Sequence, residues 1–157
     1  MIINIIAAVG KNLELGKNNR LIWPIKEDLK YFKEKTTGKT VVMGENTYNS
    51  IGKALPNRNN IVLSYDKKKI KDVTVINDYN EVFCLDEKEI FIIGGASIYR
   101  LFLPYAKSLY LTEIDMEDKD ADCYFPSFDK TKYVKEIIGV NTKDDINYSF
   151  VCYRRKE

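Results

Sequence analysis

Apolar positions along the chain fall into short runs separated by stretches of helical period. Runs at Ile2–Val9, Thr40–Met43, Asn60–Ser64, Val73–Ile76, Glu89–Ile93 and Leu109–Ile114 read as strands. Between several of them, Lys26–Lys35, Glu45–Ser50, Tyr79–Leu85 and Ser97–Leu103 read as helices, the last stopped by Pro104. Strands apolar on both faces and alternating with helices predict a mainly parallel sheet. The end of the chain changes period. Ile146, Tyr148, Phe150 and Cys152 alternate with Asn147, Ser149, Val151 and Tyr153. With Tyr133–Val140 before them and Asn141–Asp145 as the turn, this reads as an antiparallel hairpin. The expected fold is therefore α/β: a single domain over residues 1–157, its central sheet mainly parallel with about eight strands, a C-terminal antiparallel hairpin and about four flanking helices.

One position breaks the pattern. Ile25, Leu29 and Phe32 recur at helical spacing and predict the buried face of the helix at Lys26–Lys35, while Glu27, Lys30, Lys33 and Glu34 point to water. Asp28 lies on the apolar face. An ionised side chain turned inward costs several kcal/mol, by the general magnitudes for buried charge, unless something pairs with it. Asp28 either caps the helix, pairs with a basic residue inside the fold, or completes itself with a ligand.

Composition removes whole classes of chemistry. With no histidine there can be no Ser-His-Asp or Cys-His pair and no H-E-x-x-H zinc site. Catalysis must use carboxylates, hydroxyls, backbone dipoles or a bound cofactor. The 25 basic and 23 acidic side chains nearly cancel, so neither nucleic acid nor membrane is an expected partner. Cys84, Cys123 and Cys152 are too few and scattered for a disulfide framework or a metal site and read as reduced thiols of a cytoplasmic protein. The apolar opening segment lacks a basic leader and is too short to span a bilayer. The C-terminal hairpin offers no obvious exposed apolar surface, so a monomer is expected.

Two strand-to-helix junctions carry glycine: Met43-Gly44 before Glu45-Asn46-Thr47, and Ile93-Gly94-Gly95 before Ala96-Ser97-Ile98. Glycine lets a phosphate approach the backbone, helix starts offer free N–H groups, and Thr47 and Ser97 add hydroxyls. Two such junctions on one sheet could hold a dinucleotide, although no G-x-G-x-x-G follows a strand.

These segments occur in a recognisable order. Ala7-Ala8 is followed by the loop Leu15-Gly16-Lys17-Asn18-Asn19-Arg20-Leu21, by Trp23 five residues before Asp28, and by Asp28-Leu29-x-x-Phe32-Lys33. Then come Val42-Met43-Gly44-x-x-Thr47-Tyr48-x-Ser50-Ile51-Gly52 and Leu55-Pro56-x-Arg58-x-Asn60. Ile92-Ile93-Gly94-Gly95-x-x-Ile98-Tyr99, Leu111-Thr112-x-Ile114-Asp115 and Asp122-x-x-Phe125-Pro126 close the series. From Ile2 to about Tyr153 the chain resembles the dihydrofolate reductases.

That resemblance implies reduction of 7,8-dihydrofolate, with hydride passing from a reduced nicotinamide to C6 and a proton reaching N5. Asp28 would accept from the amino-pyrimidine edge of the pterin, with Thr112 supporting it and Ile6, Ala8, Leu29, Phe32, Ile51, Leu55 and Ile93 as the wall. Arg58, with Lys53, would meet the glutamate tail. Trp23 and Leu21, where the family often has methionine, would complete the catalytic set, and a water admitted as the flexible Gly16–Leu21 loop moves would supply the proton. The nicotinamide would lie beside Ala8, Leu15, Gly16 and Tyr99. The rest of the cofactor would touch Asn19, Gly44, Glu45, Asn46, Thr47, Ser64, Tyr65, Ile93, Gly94, Gly95, Ala96, Ser97 and Ile98, with a cis peptide between the two glycines. Antifolates of the diaminopyrimidine type should pair with Asp28.

One departure bears on the cofactor. Glu45 stands where many members carry a basic residue for the 2′-phosphate of NADPH. Repulsion there would let NADH substitute; lysines of Lys67–Lys69 supplying the missing charge would keep NADPH, which is the expected cofactor. Two other readings remain open on the residues alone: a pyrimidine reductase of riboflavin synthesis on the same fold, and a non-catalytic folate- or nucleotide-binding module.

Overall fold

The apolar, β-branched runs become the inner strands of an eight-stranded sheet in a computed structural model that describes all residues from Met1 to Glu157. In chain order the strands and α-helices are β1 (Ile2–Val9), β2 (Glu14–Lys17), β3 (Arg20–Leu21), α1 (Lys26–Thr36), β4 (Thr40–Gly44), α2 (Glu45–Ile51) and β5 (Asn59–Leu63). They continue with β6 (Thr74–Ile76), β7 (Glu89–Gly94), α3 (Ala96–Phe102), β8 (Ser108–Ile114), β9 (Cys123–Tyr124), β10 (Tyr133–Lys143) and β11 (Ile146–Arg155). The main sheet runs β10-β11-β8-β1-β7-β4-β5-β6. Strands β8, β1, β7, β4, β5 and β6 pair in parallel, and β11 and β10 add an antiparallel edge. The α/β sheet expected from the hydrophobic pattern is present.

Burial on both faces explains the unbroken apolar runs. Along β1, Ile3 and Ile5 join Val42, Ile92, Phe102 and Leu109 in one cluster. Ile6, one residue on, faces the opposite way into a cluster with Val41, Met43, Phe91 and Ile93. Because the strands are parallel, the C-terminal ends of β1, β4 and β7 emerge along one edge, with Met43 beside Gly94. Ligands of open α/β sheets bind outside such an edge. Gly44 is required there by space: a Cβ on it would lie 2.9 Å from Ile98 Cγ1, so α3 packs directly onto the strand end.

Several elements differ from expectation. The segment Tyr79–Leu85 forms a six-residue 3-10 helix, Tyr79–Cys84, started by a reciprocal capping box between Asp78 and Glu81. The expected five-residue turn at Asn141–Asp145 contracts to Asp144-Asp145, both at positive φ, and the strands extend to meet it. The expected flexible loop Gly16–Leu21 is largely a hairpin, β2 and β3 turning at Asn18-Asn19, with β2 also pairing with β9 in a second sheet. Asparagine tolerates the positive φ of both turn residues, and that is what closes the hairpin. On β10, Val134, Ile137, Ile138 and Val140 are exposed, so the C-terminal hairpin does present apolar surface. No helix is long and apolar enough to cross a membrane.

Candidate active site

Asp28 sits in the first turn of α1 and is only 8 % exposed. The helix starts without a side-chain cap, so Asp28 does not serve as one. None of the ion pairs in the chain includes it. Its one protein partner is Thr112 on β8, whose hydroxyl donates to Oδ1 at 2.5 Å. Burial raises the Asp28 pKa above 3.8, and the Thr112 hydrogen bond opposes that rise without cancelling it. Both internal explanations of this carboxylate therefore fail. What remains is an acceptor with Oδ2 free for a donor from outside the chain, suited to a planar edge that offers two N–H groups.

Its surroundings are apolar. Ile6 and Ile93 are buried, and Phe32 and Leu55 pack half-buried against the same cluster. Ala8 and Trp23 pack against Ile25, Ile114 and Tyr148 below α1. Leu29, predicted on the buried face of α1, is 47 % exposed, and Ile51 is also exposed. The buried residues of α1 are Asp28 and Thr36, with Tyr31 and Phe32 half-buried between them, while Leu29 stands at a rim. Tyr31 stacks on Phe150 with centroids 4.2 Å apart. Its hydroxyl is buried without a partner, and burial pushes its pKa up to about 12.

Arg58 is held rather than loose. Its Nε donates to Pro56 O at 2.9 Å and its Nη1 to Thr36 Oγ1 at 3.0 Å. The guanidinium is thus oriented before any anion arrives. Lys53 is exposed and has no partner, and Leu21 is exposed on β3 beside Gly16.

The glycine junctions come together at the sheet edge. Gly94–Gly95 is a cis peptide, and a Cβ on Gly94 or Gly95 would lie 3.2 or 3.5 Å from Thr47 Oγ1. Neither α2 nor α3 has a side-chain cap, so backbone N–H groups beside Asn46, Ala96 and the exposed Ser97 stay available. Tyr99 donates from its hydroxyl to Ile6 O at 2.8 Å, joining α3 to β1 beneath Gly94, with Ile98 buried next to it. Uncapped helix starts and a hydroxyl across from two glycines are the chemistry that a dinucleotide diphosphate requires. Gly94→Ala should lose about 1–3 kcal/mol of stability, because its φ of 133° is a region that L residues avoid. A lowered thermal midpoint, with weaker cofactor binding, would be the readout.

Glu45 does not point freely into solvent. It pairs with Lys68, and Ser64 Oγ donates to it at 2.5 Å. Lys68 chiefly, and Ser64 after it, hold the Glu45 carboxyl below its ordinary range. Lys68, of the Lys67–Lys69 cluster, is thus engaged with Glu45 itself, and the expectation that Glu45 would point to solvent is not met. Tyr65, directly after Ser64, is 75 % exposed. Leu15 and Gly16 lie on β2, and Asn19 O accepts from Ser50 Oγ at 2.7 Å, tying the hairpin tip to the end of α2. Sequence reading missed Glu14, a carboxylate only 1 % exposed at the root of that hairpin. Flanked by Leu13 and Leu15, it looks like the outward residue of an alternating strand.

The sequence profile of the dihydrofolate reductase family matches residues 2–155. A dihydrofolate reductase of Bacillus subtilis is 39 % identical over 160 residues, covering 98 % of this chain and 95 % of that protein. One from Buchnera aphidicola of Acyrthosiphon pisum is 42 % identical over 162 residues, covering 99 % of this chain and all of its own length, 100 %. In structure, a dihydrofolate reductase from Enterococcus faecalis, solved with NADP(H) and RAB-propyl, superposes with a TM-score of 0.88 at 28 % identity over 99 % of this chain and 97 % of that one.

Proposed function

Because the chain belongs to the dihydrofolate reductase family, we propose that the side chains around Asp28 and the glycine junctions divide its reaction between a pterin half and a cofactor half. The protein reduces 7,8-dihydrofolate to 5,6,7,8-tetrahydrofolate, supplying one-carbon metabolism, and its cofactor is NADPH. When bound, NADPH supplies the hydride that reaches C6. The match over nearly the whole chain does not favour the pyrimidine reductase of riboflavin synthesis or a non-catalytic module.

The residue roles rest on one observation, the buried Asp28 whose only partner is Thr112. Asp28 accepts from the two-donor edge of the pterin and stabilises the protonated form of N5, while Trp23, Phe32, Ile6, Ala8, Leu55 and Ile93 keep bulk water out. Leu29 and Ile51 close the rim over the ring, and the pre-oriented Arg58, aided by Lys53, receives the glutamate carboxylates. On the cofactor side, Leu15, Gly16 and Tyr99 would border the nicotinamide, and Gly44, Asn46, Thr47 and Gly94–Ser97 would hold the diphosphate. Ser64 and Lys68, now engaged by Glu45, would be the donors available to a 2′-phosphate, with Asn19 and Tyr65 at the margins. Leu21 on the moving hairpin gates the water that protonates N5. Diaminopyrimidine antifolates bind at Asp28 by the same geometry.

The whole chain acts as one folded unit and as a monomer. A bulge between Ile137 and Gly139, with Lys135 and Glu136 beside it, obstructs edge-to-edge pairing of the apolar β10. Three free thiols, Cys84 among them exposed, suit a reducing cytoplasm. Initial rates of dihydrofolate reduction with NADPH and with NADH test the function. Turnover preferring NADPH is expected; none with either nucleotide would overturn it.

A further inference from the structure

Glu14 is a second buried carboxylate, and no part of the reaction described above uses it. Oε1 accepts from the Asn12 amide at 2.7 Å and Oε2 from the Asp118 amide at 2.8 Å. One side chain thereby joins the turn after β1 to the segment that follows β8, 104 residues away. Backbone bonds run alongside: Gly10 N to Glu14 O at 3.0 Å, Lys11 N to Met116 O at 2.9 Å, and Phe125 N to Leu13 O at 2.8 Å. The carboxylate and the indole of Trp23 also flank the same space over Gly10. A Cβ on Gly10 would lie 2.6 Å from Glu14 Oε1 and 2.7 Å from Trp23 Cη2, so both crowd a point that only glycine leaves open.

The β2–β3 hairpin therefore has unequal ends. Its tip is held by exposed contacts, Asn18 N to Asp122 Oδ2 at 2.9 Å and Ser50 Oγ to Asn19 O at 2.7 Å, which water can replace readily. Its root is held by a carboxylate that would be stranded without solvent if the Asn12 and Asp118 amides withdrew, a costly state. Breaking contacts therefore costs less at the tip than at the root.

We propose that Glu14 is a positioning residue for hydride transfer: it fixes the hairpin root and, across the space over Gly10, the Trp23 ring, so that Leu15–Gly16 on the cofactor side and Asp28 on the substrate side stay in register. This rests on the reductase reading. Glu14 touches neither substrate nor cofactor, so its removal should slow the chemical step without weakening ligand binding in proportion.

Single-turnover oxidation of NADPH by dihydrofolate in Glu14→Gln and Glu14→Ala tests this. Glutamine keeps the volume and one acceptor oxygen but turns an NH2 toward the other amide. The hydride step should fall about tenfold in Glu14→Gln and further in Glu14→Ala, with dihydrofolate KM and NADPH Kd changed by no more than about twofold. Should alanine prevent folding, glutamine decides. Hydrogen exchange in the unaltered chain gives a second reading: the Asn12 and Asp118 amides should be protected together, and both should open in Glu14→Gln. A lowered thermal midpoint with an unchanged hydride rate would overturn the proposal, as would independent exchange of the two amides. An inactive unaltered chain would instead overturn the reductase reading itself.

Discussion

Replacing Asp28 with asparagine is expected to remove most turnover while making the folded chain more stable. Asparagine keeps the shape and can still accept from Thr112, but it cannot carry the charge that pairs with the pterin edge and favours protonated N5. Loss of a preorganised electrostatic partner of this kind lowers kcat/KM on the order of 10²–10³-fold. The stability change has the opposite sign because burial raises the Asp28 pKa above 3.8. The folded chain keeps this proton at pH values where the unfolded chain has lost it. The contribution of Asp28 to stability is therefore largest below about pH 3.8, declines as pH rises through the folded-state value, and remains lost at neutral pH. Asp28→Asn removes that decline. Thermal midpoints measured across pH should show a variant more stable than the parent at neutral pH, the advantage shrinking as pH falls. Equal midpoints at pH 7 would mean that the carboxylate bears no desolvation cost.

Reversing the charge at Glu45 should have the next largest effect. In the unaltered chain Glu45 occupies Lys68 and Ser64, so a 2′-phosphate must displace a carboxylate before it can use either. Glu45→Arg releases both and adds a planar donor, and the preference for NADPH over NADH should rise roughly tenfold. Lys68→Ala should move the preference the other way, since the carboxylate is then left uncompensated. Both effects should shrink with added salt, because these side chains are exposed enough to be screened. The ratio of kcat/KM for the two nucleotides is the readout, and a ratio indifferent to Glu45→Arg would remove Glu45 from cofactor selection.

The main sheet was legible because burial on both faces writes an unbroken apolar run, and β1 matches its expected span of Ile2–Val9. The second sheet was not. β3 and β9 are two residues long, too short for any period, and the pairing of Gly16 with Cys123 is fixed only by tertiary contact. Asp28 announced itself because a carboxylate interrupts a helical stripe. Glu14 did not, because its burial depends on the distant Asp118 amide. Leu29 shows the converse error: helical spacing identified a face correctly enough to include Asp28, yet the face is rotated, and a leucine read as core stands at the rim. Glu45 illustrates how far charge reasoning reaches, since the sequence offered repulsion and compensation as alternatives but gave no sign that Lys68 would pair with Glu45 itself.

The claim on which the rest depends is that Asp28 recognises a two-donor heterocycle edge. Calorimetric titration of a 2,4-diaminopyrimidine into the unaltered chain and into Asp28→Asn, at several pH values, tests it most directly. Binding by the unaltered chain that falls about a hundredfold or more in Asp28→Asn is the expected result, equivalent to ~2.7 kcal/mol or more for breaking a buried charged pair. Equal affinity for both proteins would contradict the assignment and place the recognising group elsewhere in the cleft.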